Sequence, residues 1–146
     1  MRVQSLHTIP AGRQKVFDTL LSASALRGCI PGCESFEATG EGSYQVTMNV
    51  GIGAVRGKYQ ATVDLSEVNS PESFRMTVQG KGSAGTIKGE GLVKLTEIEG
   101  ATEVEVDGQV QVSGVIARVG QRLLSGVSKS LLGRFFDCMT EKVLAA

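Results

Sequence analysis

The chain has 146 residues and a formal net charge of zero, because 15 Lys plus Arg balance 15 Asp plus Glu. This length predicts a single domain, residues 1–146, and the lack of a basic excess argues against nucleic-acid binding. The number of cysteines is odd, three, and the N-terminus lacks a signal peptide. No run approaches the roughly 18 apolar residues of a membrane span. Together these features favour a cytoplasmic protein with reduced thiols.

The N-terminal part of the chain predicts one strand followed by two short helices. Residues 2–9 favour a strand, and residues 12–22 have the spacing of an amphipathic helix. Ser24 is typical of the N-cap of a second helix, which ends at Arg27. The next segment, residues 28–33, is rich in turn-forming residues and must bend sharply.

Five later segments alternate apolar and polar residues, which is typical of antiparallel strands with one dry and one wet face. These segments are residues 43–52, 58–66, 74–79, 86–96 and 102–113. Turn-forming residues between them fit hairpins. The inward residues are mostly Val, Ala, Met and Gly, so few large side chains fill the dry face.

The run from about Val115 to Val143 contains no proline and predicts one long helix, roughly 40 Å at 1.5 Å per residue. Its apolar residues recur near the spacing of a helix with one buried face. This stripe is Ile116, Val119, Leu123, Val127, Leu131 and Phe135. Such a stripe needs a covering surface, so the sequence predicts an α+β fold in which a curved antiparallel sheet grips the helix.

The last turns of this helix have a second apolar side, roughly 100° from the stripe. Its residues are Leu132, Phe136, Met139 and Val143. Two interpretations are open. This side packs on the two short N-terminal helices, or it forms a docking patch for a second copy of the chain, an enzyme partner or a membrane.

The glycines also have two interpretations. They permit strand curvature and close approach of helix and sheet, or they leave an apolar cavity for a lipophilic guest. Residues 80–85 match G-x-G-x-x-G, but a dinucleotide site needs a helix after the glycines. Residues 86–90 favour a strand, so a glycine-rich hairpin is the preferred interpretation.

No catalytic or metal site is evident. Cys29 and Cys33 lack the further ligands that zinc needs, and small residues around a turn are the favoured interpretation, with a redox role as the alternative. His7 has no nucleophile motif near it, so a core or edge histidine is favoured over a general base. The Tyr59 hydroxyl either meets a guest carbonyl or is satisfied locally.

Two segments resemble the family of the carbon monoxide dehydrogenase G subunit (CoxG), which belongs to the START-like, helix-grip superfamily. They are Cys29-Ile30-Pro31-Gly32-Cys33-Glu34 and the helix start at residues 114–123, and the glycine-rich strands extend the resemblance over nearly the whole chain. The resemblance implies about seven antiparallel strands around a long helix, with an internal apolar pocket. It also implies an accessory role beside a molybdenum-containing CO dehydrogenase or related hydroxylase, membrane recruitment of that enzyme, and binding of a lipophilic molecule such as a quinone. Members at the membrane can carry a C-terminal extension, whereas this sequence stops at Ala146.

We therefore expect a non-enzymatic accessory protein without a cofactor, which binds a lipid or quinone and contacts the inner face of the cell membrane. The alternatives are a ligand-free assembly factor with a filled core and a START-like cyclase or hydrolase. Strand and helix positions predict a pocket lined by Met48, Val50, Tyr59, Ala61, Val63, Met76, Val78, Val93, Val104, Gly120, Leu123, Val127 and Leu131. The predicted gate is Ile30 and Pro31 with Ile52 and Val55 of the 51–57 loop.

Overall fold

A seven-stranded antiparallel sheet forms most of the molecule. A computed structural model describes residues 1–146, except for the side chain of Ala54. The strands are β1 (Arg2–Ile9), β2 (Cys33–Gly40), β3 (Ser43–Val50), β4 (Gly57–Asn69), β5 (Ser73–Gly82), β6 (Gly85–Ile98) and β7 (Ala101–Ser113). Their order in the sheet is β1-β7-β6-β5-β4-β3-β2.

Three α-helices complete the fold: α1 (Arg13–Leu20), α2 (Ala23–Cys29) and α3 (Gln121–Ala145). The α+β architecture predicted from the sequence is therefore confirmed. The cap of α2 differs from the prediction, because the Ser22 side chain, and not Ser24, accepts a hydrogen bond from the Ala25 N–H. The 80–85 segment is the β5–β6 hairpin, in which Gly82 pairs with Gly85, so the hairpin interpretation is correct.

The predicted C-terminal helix is interrupted at Gly120. This residue has φ +95°, a left-handed conformation that favours glycine. It separates a 3-10 turn, Val115–Val119, from α3. The regular helix therefore begins at Gln121 and not near Val115.

The buried face of α3 also differs from the predicted stripe. Leu123 is 51% exposed, whereas the neighbouring Leu124 is buried. Farther along, Phe136 and Met139 are only 4% and 0% exposed. The stripe prediction was wrong at Leu123 because helix and 3-10 turn do not share one continuous periodicity.

The main core lies at the C-terminal end of α3. Phe136, Met139 and Val143 pack there with buried residues of α1, α2 and one end of the sheet, and Leu132 packs partly against the same cluster. The predicted docking patch of Leu132, Phe136, Met139 and Val143 was therefore wrong. The alternative interpretation is correct, because the two short helices cover this side of α3.

A second, smaller core lies at the opposite end of α3. It consists of Val50, Val55, Tyr59, Ile116 and Leu124, with partly buried neighbours that include Ile52. Ile52 and Val55 of the 51–57 loop are thus packed against the 3-10 turn region. The 51–57 loop therefore forms part of this core.

Two of the cysteines form a disulfide. Cys29 at the end of α2 is bonded to Cys138 of α3, with their Cα atoms 5.4 Å apart. The expectation of reduced thiols was wrong for this pair, because packing of α2 on α3 brings together two residues that are distant in sequence. Cys33 is free and partly exposed, and its burial raises the pKa of its thiol.

Candidate functional site

Between the two cores, two rows of inward-facing residues run across the sheet, and every one of them is partly exposed. Paired residues of an antiparallel sheet point to the same face, so the strand register defines each row. The first row is Tyr44, Val63, Val78, Gly89 and Val110. The second row is Leu65, Met76, Gly91, Gly108 and Val3. We call these two rows the band.

Buried residues border the band on both sides. Phe74, Val93 and Val106 form the next row toward the main core, and all three are buried. On the other side Val46 and Ala61 are buried, whereas the rest of that row is partly exposed: Gly80, Ile87 and Val112. The exposure of the band therefore ends toward the main core and continues on the other side along β5, β6 and β7, and it marks a place where the sheet and the helix do not close on each other.

The glycines of the band are explained by strand packing. A Cβ on Gly89 would meet, within 4 Å among the described atoms, only Val110 Cγ2 at 3.4 Å and the Gln109 oxygen at 3.5 Å, both on β7. A Cβ on Gly108 would approach the Glu90 oxygen to 2.7 Å. No atom of α3 is near Gly89, so close helix–sheet approach does not explain this glycine. The glycines of the band allow β6 and β7 to pack closely, and they leave space between these strands and α3.

Helix α3 crosses over the band. Leu124 belongs to the second core and Phe136 to the main core, and the helix rises about 18 Å between them. The side chains on the inner side of this middle segment, Ser128, Leu131, Leu132 and Phe135, are all partly exposed. Partly exposed surfaces therefore face each other, and we call the space between the band and residues 127–135 the cleft.

One end of the cleft adjoins a hollow of about 370 Å³. Tyr44 and Leu65 line it, and these residues are the β3 and β4 ends of the two rows. Leu21, in the turn between α1 and α2, lies on the opposite wall, with Val68 and Glu41 nearby. Because Tyr44 and Leu65 belong to both, the hollow and the cleft share part of their sheet wall.

Of the predicted pocket residues, the structure brings five into the cleft. They are Val63, Met76 and Val78 on the sheet with Val127 and Leu131 on α3. Met48, Val50, Tyr59 and Ala61 lie beside it, in or near the second core. Val93 and Val104 are packed inside the main core. Gly120 and Leu123 are exposed on the outer side and do not line it.

Sequence reasoning missed several wall residues. Val3 lies on the band because β1 pairs with β7, which places it opposite Gly108. Alternation within β1 and β7 indicates which of their residues face inward, but only the pairing of the two strands shows that both line the cleft.

The predicted gate residues Ile30 and Pro31 are partly buried in the turn between α2 and β2.

Two polar groups near the cleft were candidates for function. The Tyr59 hydroxyl donates a hydrogen bond to the Val55 carbonyl oxygen at 2.7 Å, and burial raises the pKa of Tyr59. The local interpretation of Tyr59 is therefore correct. His7 lies on the inner face of β1, 3.0 Å from the Ser5 hydroxyl through Nε2. Burial lowers the pKa of His7, and nearby Asp137 partly opposes this effect.

Other classes of site lack support. In the described part of the chain, no three His, Cys, Asp or Glu residues are grouped to hold a metal ion. Nor does any described helix have the length and apolar character needed to cross a bilayer.

The family model for the G subunit of carbon monoxide dehydrogenase (CoxG) matches residues 7–144. The chain belongs to the CoxG family. Membership confirms the resemblance seen in the sequence, and it supports an accessory or ligand-binding role. No curated protein matches the chain.

Solved structures agree on the START-like fold. A conserved protein from Geobacillus kaustophilus is 31% identical, with TM-score 0.97, covering 99% of this CoxG-family chain and 96% of its own. A START superfamily protein from Mycobacterium smegmatis has TM-score 0.76 at 10% identity, covering 99% and 97%. Norcoclaurine synthase from Thalictrum flavum has TM-score 0.71 at 13% identity, covering 99% and 94%. The last two likenesses show the fold alone.

Proposed function

We propose that this CoxG-family protein is a non-enzymatic accessory protein that holds a lipophilic ligand, a quinone or another lipid, in the cleft. The observation that carries the proposal is the partly exposed apolar band beneath α3, between two closed cores. The family supports a role beside a CO dehydrogenase-type molybdenum enzyme, which the loaded protein would serve.

Burial of apolar surface supplies the driving force. A guest that loses about 200 Å² of apolar surface to the cleft gains about 5 kcal/mol before the costs of association. The walls that would receive it are Val63, Met76 and Val78 below and Leu131 above. The hollow beside Tyr44 is the route by which a long tail reaches solvent.

The test is organic extraction of the natively purified protein, followed by mass spectrometry and ultraviolet absorbance. We expect a stoichiometric quinone or other lipid, or stoichiometric uptake after incubation with quinones. Val78→Trp should block uptake, because a large ring would fill the band. The matched control is Gln79→Trp, on the exposed outer face of the same strand.

An empty extract that stays empty after incubation would contradict the carrier function. The ligand-free assembly factor would then be the better interpretation. Equal uptake by the Val78→Trp and Gln79→Trp variants would place the ligand somewhere other than the cleft.

The enzyme alternative has weaker support. Norcoclaurine synthase shares the fold, but acid–base catalysis needs groups that converge on a bound substrate. Here the Tyr59 hydroxyl is engaged with Val55. The other titratable side chains near the cleft, Tyr44 on β3 and His7 on β1, are separated by four strands of the sheet and do not converge. Loss of turnover in both His7→Ala and Tyr59→Phe variants would favour an enzyme.

We also propose that the protein contacts an anionic membrane, through a surface other than the predicted patch. Residues 108–136 contain Arg118, Arg122, Lys129 and Arg134 but no Asp or Glu, although the whole chain is neutral. Val115 and Leu123 in the same region are 57% and 51% exposed. Basic side chains beside exposed apolar ones match the chemistry of an anionic lipid surface.

Vesicle flotation tests this contact. We expect binding to phosphatidylglycerol vesicles that weakens with added salt, and little binding to phosphatidylcholine vesicles. Leu123→Asp should reduce flotation, whereas Leu6→Asp should not, since Leu6 is equally exposed at 59% but lies on β1. Equal flotation of the two variants would exclude this surface as the contact.

A further inference from the structure

We propose that Ser5 and His7 form a polar anchor that binds a ring oxygen of the guest, either a carbonyl or a hydroxyl, at the β1 end of the cleft. The inference rests on the ligand site proposed above and names the chemical class that the site selects. It concerns which guests bind and how they are oriented.

The position of Ser5 supports the anchor. Val3 belongs to the band opposite Gly108, and Ser5, opposite Val106, is the next inward-facing residue along β1. Consecutive inward residues of a strand are about 6–7 Å apart. Ser5 and His7 are both partly exposed. Ser5 borders the band, and His7, opposite the buried Val104, lies one row deeper at the edge of the main core.

The geometry of the pair is fixed from the helix side. The His7 ring stacks on Phe136 with centroids 4.0 Å apart and planes 18° apart. Phe136 is buried in the main core, so it holds the imidazole in place. His7 Nε2 lies 3.0 Å from Ser5 Oγ, which orients the serine hydroxyl.

The residues around Ser5 and His7 are mostly apolar, so a polar pair at this place can orient a guest. Apolar pockets are typically lined by hydrophobic residues, with a few polar groups that orient the ligand. The neighbouring inward-facing residues Val3 and Val106 are apolar, and Gly108 offers no side chain. Ser128 of α3 and Tyr44 at the mouth are the other polar residues in the cleft, but neither belongs to a hydroxyl–imidazole pair.

The Ser5–His7 pair can form a hydrogen bond with either a carbonyl or a hydroxyl oxygen of the guest. With the proton on Nε2, His7 donates to Ser5 Oγ, and the serine hydroxyl is free to donate to a guest carbonyl. With the proton on Nδ1, Nε2 accepts from the serine hydroxyl, and Ser5 Oγ accepts from a guest hydroxyl. A change of tautomer therefore accommodates both the oxidised and the reduced form of a ring such as a quinone.

Both tautomers require a neutral imidazole. Burial lowers the pKa of His7, while Asp137 on α3 acts in the opposite direction. The net lowering of the pKa favours the neutral ring.

Calorimetry with three probes tests the anchor: 2-decyl-1,4-benzoquinone, its hydroquinone, and decylbenzene, which lacks the oxygens. Ser5→Ala and His7→Phe should weaken binding of both oxygenated probes about three- to tenfold, the effect of one hydrogen bond, and change decylbenzene less than twofold. Phe at position 7 retains the stacking on Phe136. Thr8→Ala, on the outer face of the same strand, should leave all three unchanged.

Because His7 is the only histidine, its imidazole ¹⁵N signals report the tautomer without any substitution. We expect the two ring-nitrogen shifts to move in opposite directions between the quinone and hydroquinone complexes. Unchanged shifts on binding, or equal weakening of all three probes in Ser5→Ala, would overturn the anchor. Wild-type protein that binds none of the probes would instead refute the carrier function itself.

Discussion

The imidazole of His7 is stacked on the phenyl ring of Phe136, with 4.0 Å between their centroids. This contact joins the edge strand β1 to α3 at the point where the main core ends and the cleft begins. Phe136 therefore contributes to the stability of the fold and to the shape of the cleft wall. Because it is buried, it cannot contact a partner.

Phe136→Ala should lower the free energy of unfolding by about 3–5 kcal/mol, since it removes a large buried ring. Leu123→Ala, on the exposed side of the same helix, should change it by less than about 0.5 kcal/mol. Urea denaturation of the two variants measures both effects. Similar values for the two would contradict the assignment of Phe136 to the core.

The pH dependence of stability should contain a contribution from His7. Its pKa is lowered in the folded state mainly by burial, so the unfolded chain binds the proton more readily. This contribution is present above the unfolded pKa and is lost as the pH falls through the folded pKa. Melting curves from pH 7.5 to 5 should show a decline that is smaller in His7→Phe, and an identical decline in both proteins would contradict it.

Two glycine substitutions should have opposite effects. Gly126→Ala should stabilise the protein by about 0.5–1 kcal/mol, because alanine favours a helix and no described atom lies within 4 Å of the added Cβ. Gly32→Ala should destabilise it, because Gly32 has φ +70° and its Cβ would clash with the Asn49 backbone oxygen. Thermal melts of the two variants compare the effects directly. Destabilisation by Gly126→Ala would indicate that this face of α3 is covered.

The Cys29–Cys138 disulfide should stabilise the oxidised protein. It closes a loop with a sequence separation of 109, and a loop of that size is worth about 5 kcal/mol in the chain-entropy model, with about 2–4 measured typically. Cys138→Ser should therefore melt lower than oxidised wild type and close to wild type treated with reductant. Cys33→Ser, which leaves the disulfide intact, is the control, and a reductant-insensitive wild type would contradict the prediction.

Most of the fold could be predicted from local patterns. Alternation in residues 43–52, 58–66 and 102–113 reports the dry face directly, because the period of a strand is two. Strand β2 carried no such signal, since Phe36 is its only buried residue. The register with β3 makes it a strand, and register is a property of two segments together.

The site was less predictable, because it depends on where the helix lies. The break at Gly120 shifts the buried face of α3 by one residue, about 100° around the helix, so Leu124 and not Leu123 is buried. The second apolar side was visible in the sequence, but only the position of α1 and α2 decides whether it is covered. The space above Gly89 likewise depends on how far α3 stands from the sheet, which no local pattern encodes.

The separation of the two cores has a consequence for local opening. The middle of α3, residues 127–133, is held by packing at its two ends and rests on no closed core of its own. We expect its amides to exchange with deuterium faster than those on either side, because a local opening there exposes little additional apolar surface. A bound guest would slow this exchange and raise the melting temperature increasingly as its free concentration exceeds its dissociation constant. The cargo would then be part of the hydrophobic interior, and release of the cargo would return the protein to its less stable form.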